Sequence, residues 1–135
     1  MPDYHSLAAI QTDLRAGVLT CRALVRHYLS VIDAHVSLNA FLDVYADEAL
    51  ARADVIDQQL ADGTAGRLAG AVIGLKDVFC HQDHPLQAGS RILDGFVSQF
   101  TGTAVQRLLD EGAIIIGRQN CDEFAMGSSS ENSAF

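Results

Sequence analysis

Ala71-Val-Ile-Gly-Leu75, ending at Lys76-Asp77, and Ala113-Ile-Ile-Ile116 are two short apolar runs without polar alternation. Runs of this kind read as strands buried on both faces, the pattern of parallel pairing in α/β proteins. Between them lies an irregular stretch from Cys80 to Gly102, containing Pro85, Gly89 and Gly95. Thr103 is placed to cap a helix running through Leu109, and Glu111-Gly112 marks its end. The unit is strand, loop, helix, strand, which predicts a right-handed parallel crossover.

Working outward toward the N-terminus, Ser6 caps a first predicted helix with Leu7, Ile10 and Leu14 on one face, stopped by Gly17. Thr20 caps a second, longer one carrying Leu24, Val25, Tyr28, Leu29 and Ile32. Asn39 to Tyr45 reads as a short strand, and residues 46–61 as an alanine-rich helix with Glu48 and Arg52 placed to pair at i, i+4. The Gly63-Thr-Ala-Gly66 loop is expected to divide the chain into a helical arm with one short strand (1–62) and the start of an α/β core (63–135). Beyond the second strand, a helical turn over Cys121 to Met126 leads into the polar loop Gly127 to Ser133. Two parallel strands make no stable sheet alone, so the chain reads as a fragment of a larger α/β protein.

Composition narrows the function classes. The 135 residues carry 17 acidic and 9 basic side chains, a formal charge of -8, which argues against a nucleic-acid-binding surface. Hydrophobic content of 49% argues against disorder, and no apolar run reaches the length of a membrane span. The N-terminus has no basic segment of the kind that opens a signal peptide. Three scattered cysteines, Cys21, Cys80 and Cys121, fit unpaired thiols in a reduced, cytoplasmic protein.

Lys76 is the only lysine; every other basic side chain is arginine. It stands at the C-terminal end of a strand, where open α/β folds place their sites. A lysine there can act as a neutral amine that takes a proton from a hydroxyl nucleophile, a task arginine cannot perform. The alternative is a snorkelling lysine at a strand end, paired with Asp77. Gly70 to Asp77 is no phosphate loop: lysine does not follow glycine, and Asp77 stands where a metal-binding hydroxyl is needed. Cys80-His-Gln-Asp-His84 has neither zinc-site spacing nor a metallopeptidase helix pattern, and is expected to be a solvated loop with no metal. No GxSxG elbow marks a serine nucleophile. The small residues of Gly127 to Ser133 allow backbone N–H groups to approach a ligand.

Gly66 to Asp77, together with Ala113 to Phe135, resembles the amidase signature family. Within it, Asp122-Glu-Phe-Ala-Met-Gly127 through Glu131-Asn-Ser-Ala-Phe135 is similar to the A subunits of tRNA-dependent amidotransferases. The resemblance implies a mixed, largely parallel sheet and a Ser–cis-Ser–Lys triad in which Lys76 is the lysine. Its bridging and nucleophilic serines are expected beyond residue 135, so none of Ser128, Ser129, Ser130 or Ser133 is assigned as nucleophile, and the isolated chain is expected to be inactive. It further implies that Met126, Gly127, Ser128 and Ser129 border the substrate pocket. The implied reaction releases ammonia from glutamine, with subunits B and C as partners in a heterotrimer. ATP and Mg are used by the whole complex through a partner subunit, tRNA is met only through the complex, and no membrane is involved. A fragment of a stand-alone amidase and a non-catalytic partner-binding piece are the alternatives.

Overall fold

Ser6 and Thr20 start the first two helices as their positions predict. In the computed structural model, which describes residues 4–135, the Ser6 hydroxyl accepts from the Ala9 N–H at 3.2 Å and opens α1 (Leu7–Arg15). Thr20 accepts from Ala23 at 3.1 Å and opens α2 (Cys21–Ala34). The start of α2 has a second cap from outside its own sequence. The Asp57 carboxylate, on α3 (Ala46–Ala61), accepts from the N–H groups of Cys21 at 2.6 Å and Arg22 at 3.1 Å. A carboxylate there satisfies two orphan donors and meets the positive end of the helix dipole. Asp57→Ala is therefore expected to cost about 1–2 kcal/mol, read by urea unfolding.

The strands are β1 (Phe41–Val44), β2 (Val72–Lys76) and β3 (Ile114–Gln119), in the order β1-β3-β2. β2 runs parallel to β3, as the unit predicts, with α4 (Thr103–Asp110) in the connection. β1 joins the other edge of β3 antiparallel, so the sheet is mixed. The sheet and the larger core cluster take residues from both sides of the Gly63–Gly66 loop.

β3 is the central strand and is covered on both faces, which is why Ile114-Ile-Ile116 is apolar throughout. Ile114 and Ile116 pack with Leu24, Val25 and Ile56 of the helical layer α1–α3. Ile115 faces the other way, toward Leu75 and Val105 of α4. The small side chains of Ala49 and Ala53 bring α3 close against this core.

Four local expectations are corrected. β2 is only half-buried apart from Leu75, because it is an edge strand. α4 is preceded by Gly102 at the cap position, with Thr103 as its first residue and no side-chain cap. Glu48 and Arg52 do not pair: Glu48 reaches His84 at 3.0 Å, while Arg52 donates to the Leu109 carbonyl at 2.6 Å. Instead of lying free in solvent, His81 and His84 are half-buried and stack with ring centroids 4.1 Å apart. Burial, then the neighbouring His84, holds the His81 imidazole below its ordinary pKa.

Candidate active site around Lys76

β2 carries Lys76 to its C-terminal end, opposite Gln119 at the end of β3. The half-buried side chain lines a cleft of about 740 Å³ with Asn39, Gln119, Asn120, Ser129, Ser130, Glu131, Ser133 and Phe135. Among the described residues the Lys76 ammonium has no ion-pair partner within 4.0 Å. The pairing with Asp77 considered above does not form. Asp77, the first residue of the turn past β2, has its carboxylate drawn into the interior.

Asp77 is instead the buried hub beneath the site, with no exposed surface. Its carboxylate accepts from Arg118 at 2.6 Å and from the N–H groups of Gln87 at 3.0 Å and Gly89 at 2.9 Å. Arg118, on β3, reaches with its other terminal nitrogen to Asp43 on β1 at 2.5 Å. One guanidinium on β3 thus joins β1 to the turn that follows β2, and Asp77 ties the long loop after β2 onto the same point. Sequence reading assigned no role to Arg118 or Asp43. The available signal was a charged residue continuing a buried apolar strand, which demands an opposite charge nearby.

The far wall of the cleft is the Gly127–Ser133 loop. Asn120 anchors its end, accepting from the Ser133 hydroxyl at 2.6 Å and from the Cys121 N–H at 2.9 Å. The Asp122 carboxylate accepts from Ser130 and Asn132 N–H groups, each at 2.9 Å. Those N–H groups, Asn132 first, hold the Asp122 carboxyl below its ordinary value of 3.8. Because the folded value is the lower one, the carboxylate's contribution to loop order is full above about pH 4 and is lost as pH falls through that depressed value. Hydrogen exchange at Ser130 and Asn132 is expected to stay slow from neutrality down to that range and to accelerate below it.

Of the residues expected to border a pocket, Ser129 stands in the cleft wall with Lys76, whereas Met126, Gly127 and Ser128 do not line that cleft. Met126 is 86% exposed. The Cys121 thiol is buried and pushed up by that burial, and Cys21 is pushed up to about 12 by burial and then by Asp57. Neither thiol is a nucleophile in this state. The site offers one amine, several hydroxyls and amides, and backbone N–H groups, a set suited to acyl transfer at a small polar substrate.

Residues 23–135 match the amidase family model. Over 129 residues the chain is 46% identical to the glutamyl-tRNA(Gln) amidotransferase A subunit of Roseobacter denitrificans, covering 96% of this chain and 26% of that protein. Its counterpart in Chlorobium luteolum is 44% identical over 133 residues, covering 98% of this chain and 27% of its own length. The chain therefore spans about a quarter of the length of the curated relatives it matches. Among solved structures, a vestigial protein complex linked to the origins of an s-triazine catabolic enzyme superposes with a TM-score of 0.87 at 32% identity, over 96% of this chain and 29% of that one. The native peptide amidase of Stenotrophomonas maltophilia gives 0.82 at 32% identity, over 89% and 25%. With the family model matched over most of its length and relatives above 40% identity, the chain belongs to the amidase signature family.

Proposed function

We propose that this chain is the N-terminal, lysine-bearing part of the glutamine-hydrolysing component of an amidotransferase that converts misacylated tRNA. The observation that carries the reading is Lys76, with no ion-pair partner within 4.0 Å among the described residues, in a cleft walled by Ser129, in a chain similar over nearly all its length to such components. Lys76 acts as the base: its neutral amine draws a proton through a bridging serine from the nucleophilic serine, both supplied by the rest of the polypeptide. Attack on the side-chain amide of glutamine gives an acyl-enzyme and ammonia, and water then releases glutamate. Ser129 and the backbone near it orient the amide.

The partners are the amidotransferase subunits B and C, in the cytoplasm. The acidic balance of the chain, -8, suits a component that handles a small amide and leaves tRNA to its partner. ATP and Mg2+ are assigned to that partner: Gly70 to Lys76 lies in or beside strand β2, not in the loop before a helix that a phosphate-binding lysine motif needs.

The test is ammonia release by the full-length polypeptide co-expressed with its two partners. Glutamine is expected to be preferred over simple aliphatic amides, with release stimulated by misacylated tRNA and ATP. Equal hydrolysis of simple amides by the full-length polypeptide without its partners would favour a stand-alone amidase instead.

A further inference from the structure

One carboxylate lies at the centre of the far wall of the cleft. Asp122, 4% exposed, accepts from Ser130 N–H through one oxygen and from Asn132 N–H through the same carboxylate's other oxygen. N–H groups converging on an anion form a nest of the kind that binds phosphates and carboxylates in other proteins. Here the anion is supplied by the chain itself, and the loop is wrapped around it. The fit is close: a Cβ at Gly127 would lie 2.1 Å from the nearer Asp122 oxygen, so only glycine is admitted. Phe124, Ala125 and Ser130 take left-handed φ values of 50, 58 and 62, which non-glycine residues adopt only where their surroundings hold them. The Asp122 backbone supplies one such restraint, its carbonyl accepting from Ala125 N–H at 2.8 Å.

The product of this wrapping is an orientation. Three serines of the loop line the cleft that holds Lys76, and the hydroxyl of one, Ser133, is committed to Asn120. Ser129 and Ser130 line it without such a side-chain bond among the described residues. Asp122 itself does not line that cleft; it meets the loop through backbone groups.

We infer that Asp122 is a positioning residue for the amide-hydrolysing site: its carboxylate folds the Gly127–Ser133 loop so that Ser129 and Ser130 face Lys76 across the cleft and hold the substrate there. The inference rests on the reaction proposed above and adds the device that sets its substrate-binding wall. Loss of the device loosens binding without touching the proton path through Lys76.

The test uses the full-length polypeptide with two independent variants. Asp122→Asn replaces one accepting oxygen by a donor that faces a backbone N–H. Gly127→Ala leaves the carboxylate chemically intact but drives a methyl group against it. Both are expected to raise KM for glutamine at least tenfold while kcat stays within about threefold. Both are also expected to speed hydrogen exchange in the peptide covering Gly127–Ser133, with the exchange of β3 unchanged. Unchanged exchange in both variants overturns the assignment of the loop to Asp122. Faster exchange with KM unaltered overturns the positioning role. A parent protein that releases no ammonia from any amide overturns the underlying reaction, a result distinct from either, because the exchange measurement needs no turnover.

Discussion

Arg118→Leu is expected to destabilise the protein by about 3–5 kcal/mol, the largest effect of any single substitution considered on the fold. The reason lies in what it leaves behind. Asp77 has no exposed surface, and its only cationic partner among the described residues is the Arg118 guanidinium at 2.6 Å. Two backbone N–H groups, from Gln87 and Gly89, would remain on the carboxylate but cannot balance a buried charge. Asp43 also loses its partner, yet it is part-exposed and can turn to water, so its share of the cost is small. Urea unfolding of the variant should show a lower midpoint with a similar slope. Adding Asp77→Asn to Arg118→Leu is expected to recover a large part of the loss, because the amide is neutral and keeps an acceptor for one of the two N–H groups. A cost below about 1 kcal/mol for Arg118→Leu, or no recovery in the double variant, would show that the Arg118–Asp77 pair is not what holds this part of the fold together.

That ion network also marks the boundary of what the sequence reveals. Local signals were legible. Ser6 and Thr20 capped their helices, the third helix spans the residues its composition indicates, and the two apolar runs became parallel neighbours. Lys76 fell at a strand end facing a cleft because that position follows from the length of the apolar run alone. Long-range pairings were not legible. β1 has four residues, and nothing in Phe41–Val44 says that it pairs antiparallel with the end of β3. Arg118 and Asp77 were visible only as one arginine among eight and as a neighbour of Lys76. Their union depends on strand register, which places Leu75 opposite Arg118 and turns Asp77 under the sheet. The wrapping of the Gly127–Ser133 loop was hidden for a similar reason. A glycine and four serines in seven residues carry no mark of the buried Asp122 carboxylate that they enclose.

Lys76→Ala and Lys76→Arg, in the full-length polypeptide, are both expected to lower glutamine hydrolysis by about 10³-fold or more, while the melting temperature moves by only a few degrees. The fold should tolerate both changes because Lys76 is half-buried at an edge-strand terminus and has no ion-pair partner within 4.0 Å among the described residues. The arginine variant is the decisive one. It keeps the positive charge and most of the reach, so a lysine that only steadied the substrate or balanced the net acidity would be replaced with modest loss. Arginine cannot give up its proton, so a lysine that serves as the base cannot be replaced by it. The alanine variant adds a complementary reading. Truncation opens space in a cleft already about 740 Å³ in volume, enough to admit a small primary amine such as ethylamine. Added amine is expected to restore part of the activity of Lys76→Ala and none of that of Lys76→Arg, where the guanidinium fills the space. Retention of more than about a tenth of the activity in Lys76→Arg would remove Lys76 from the proton path and leave it as a charged wall of the cleft.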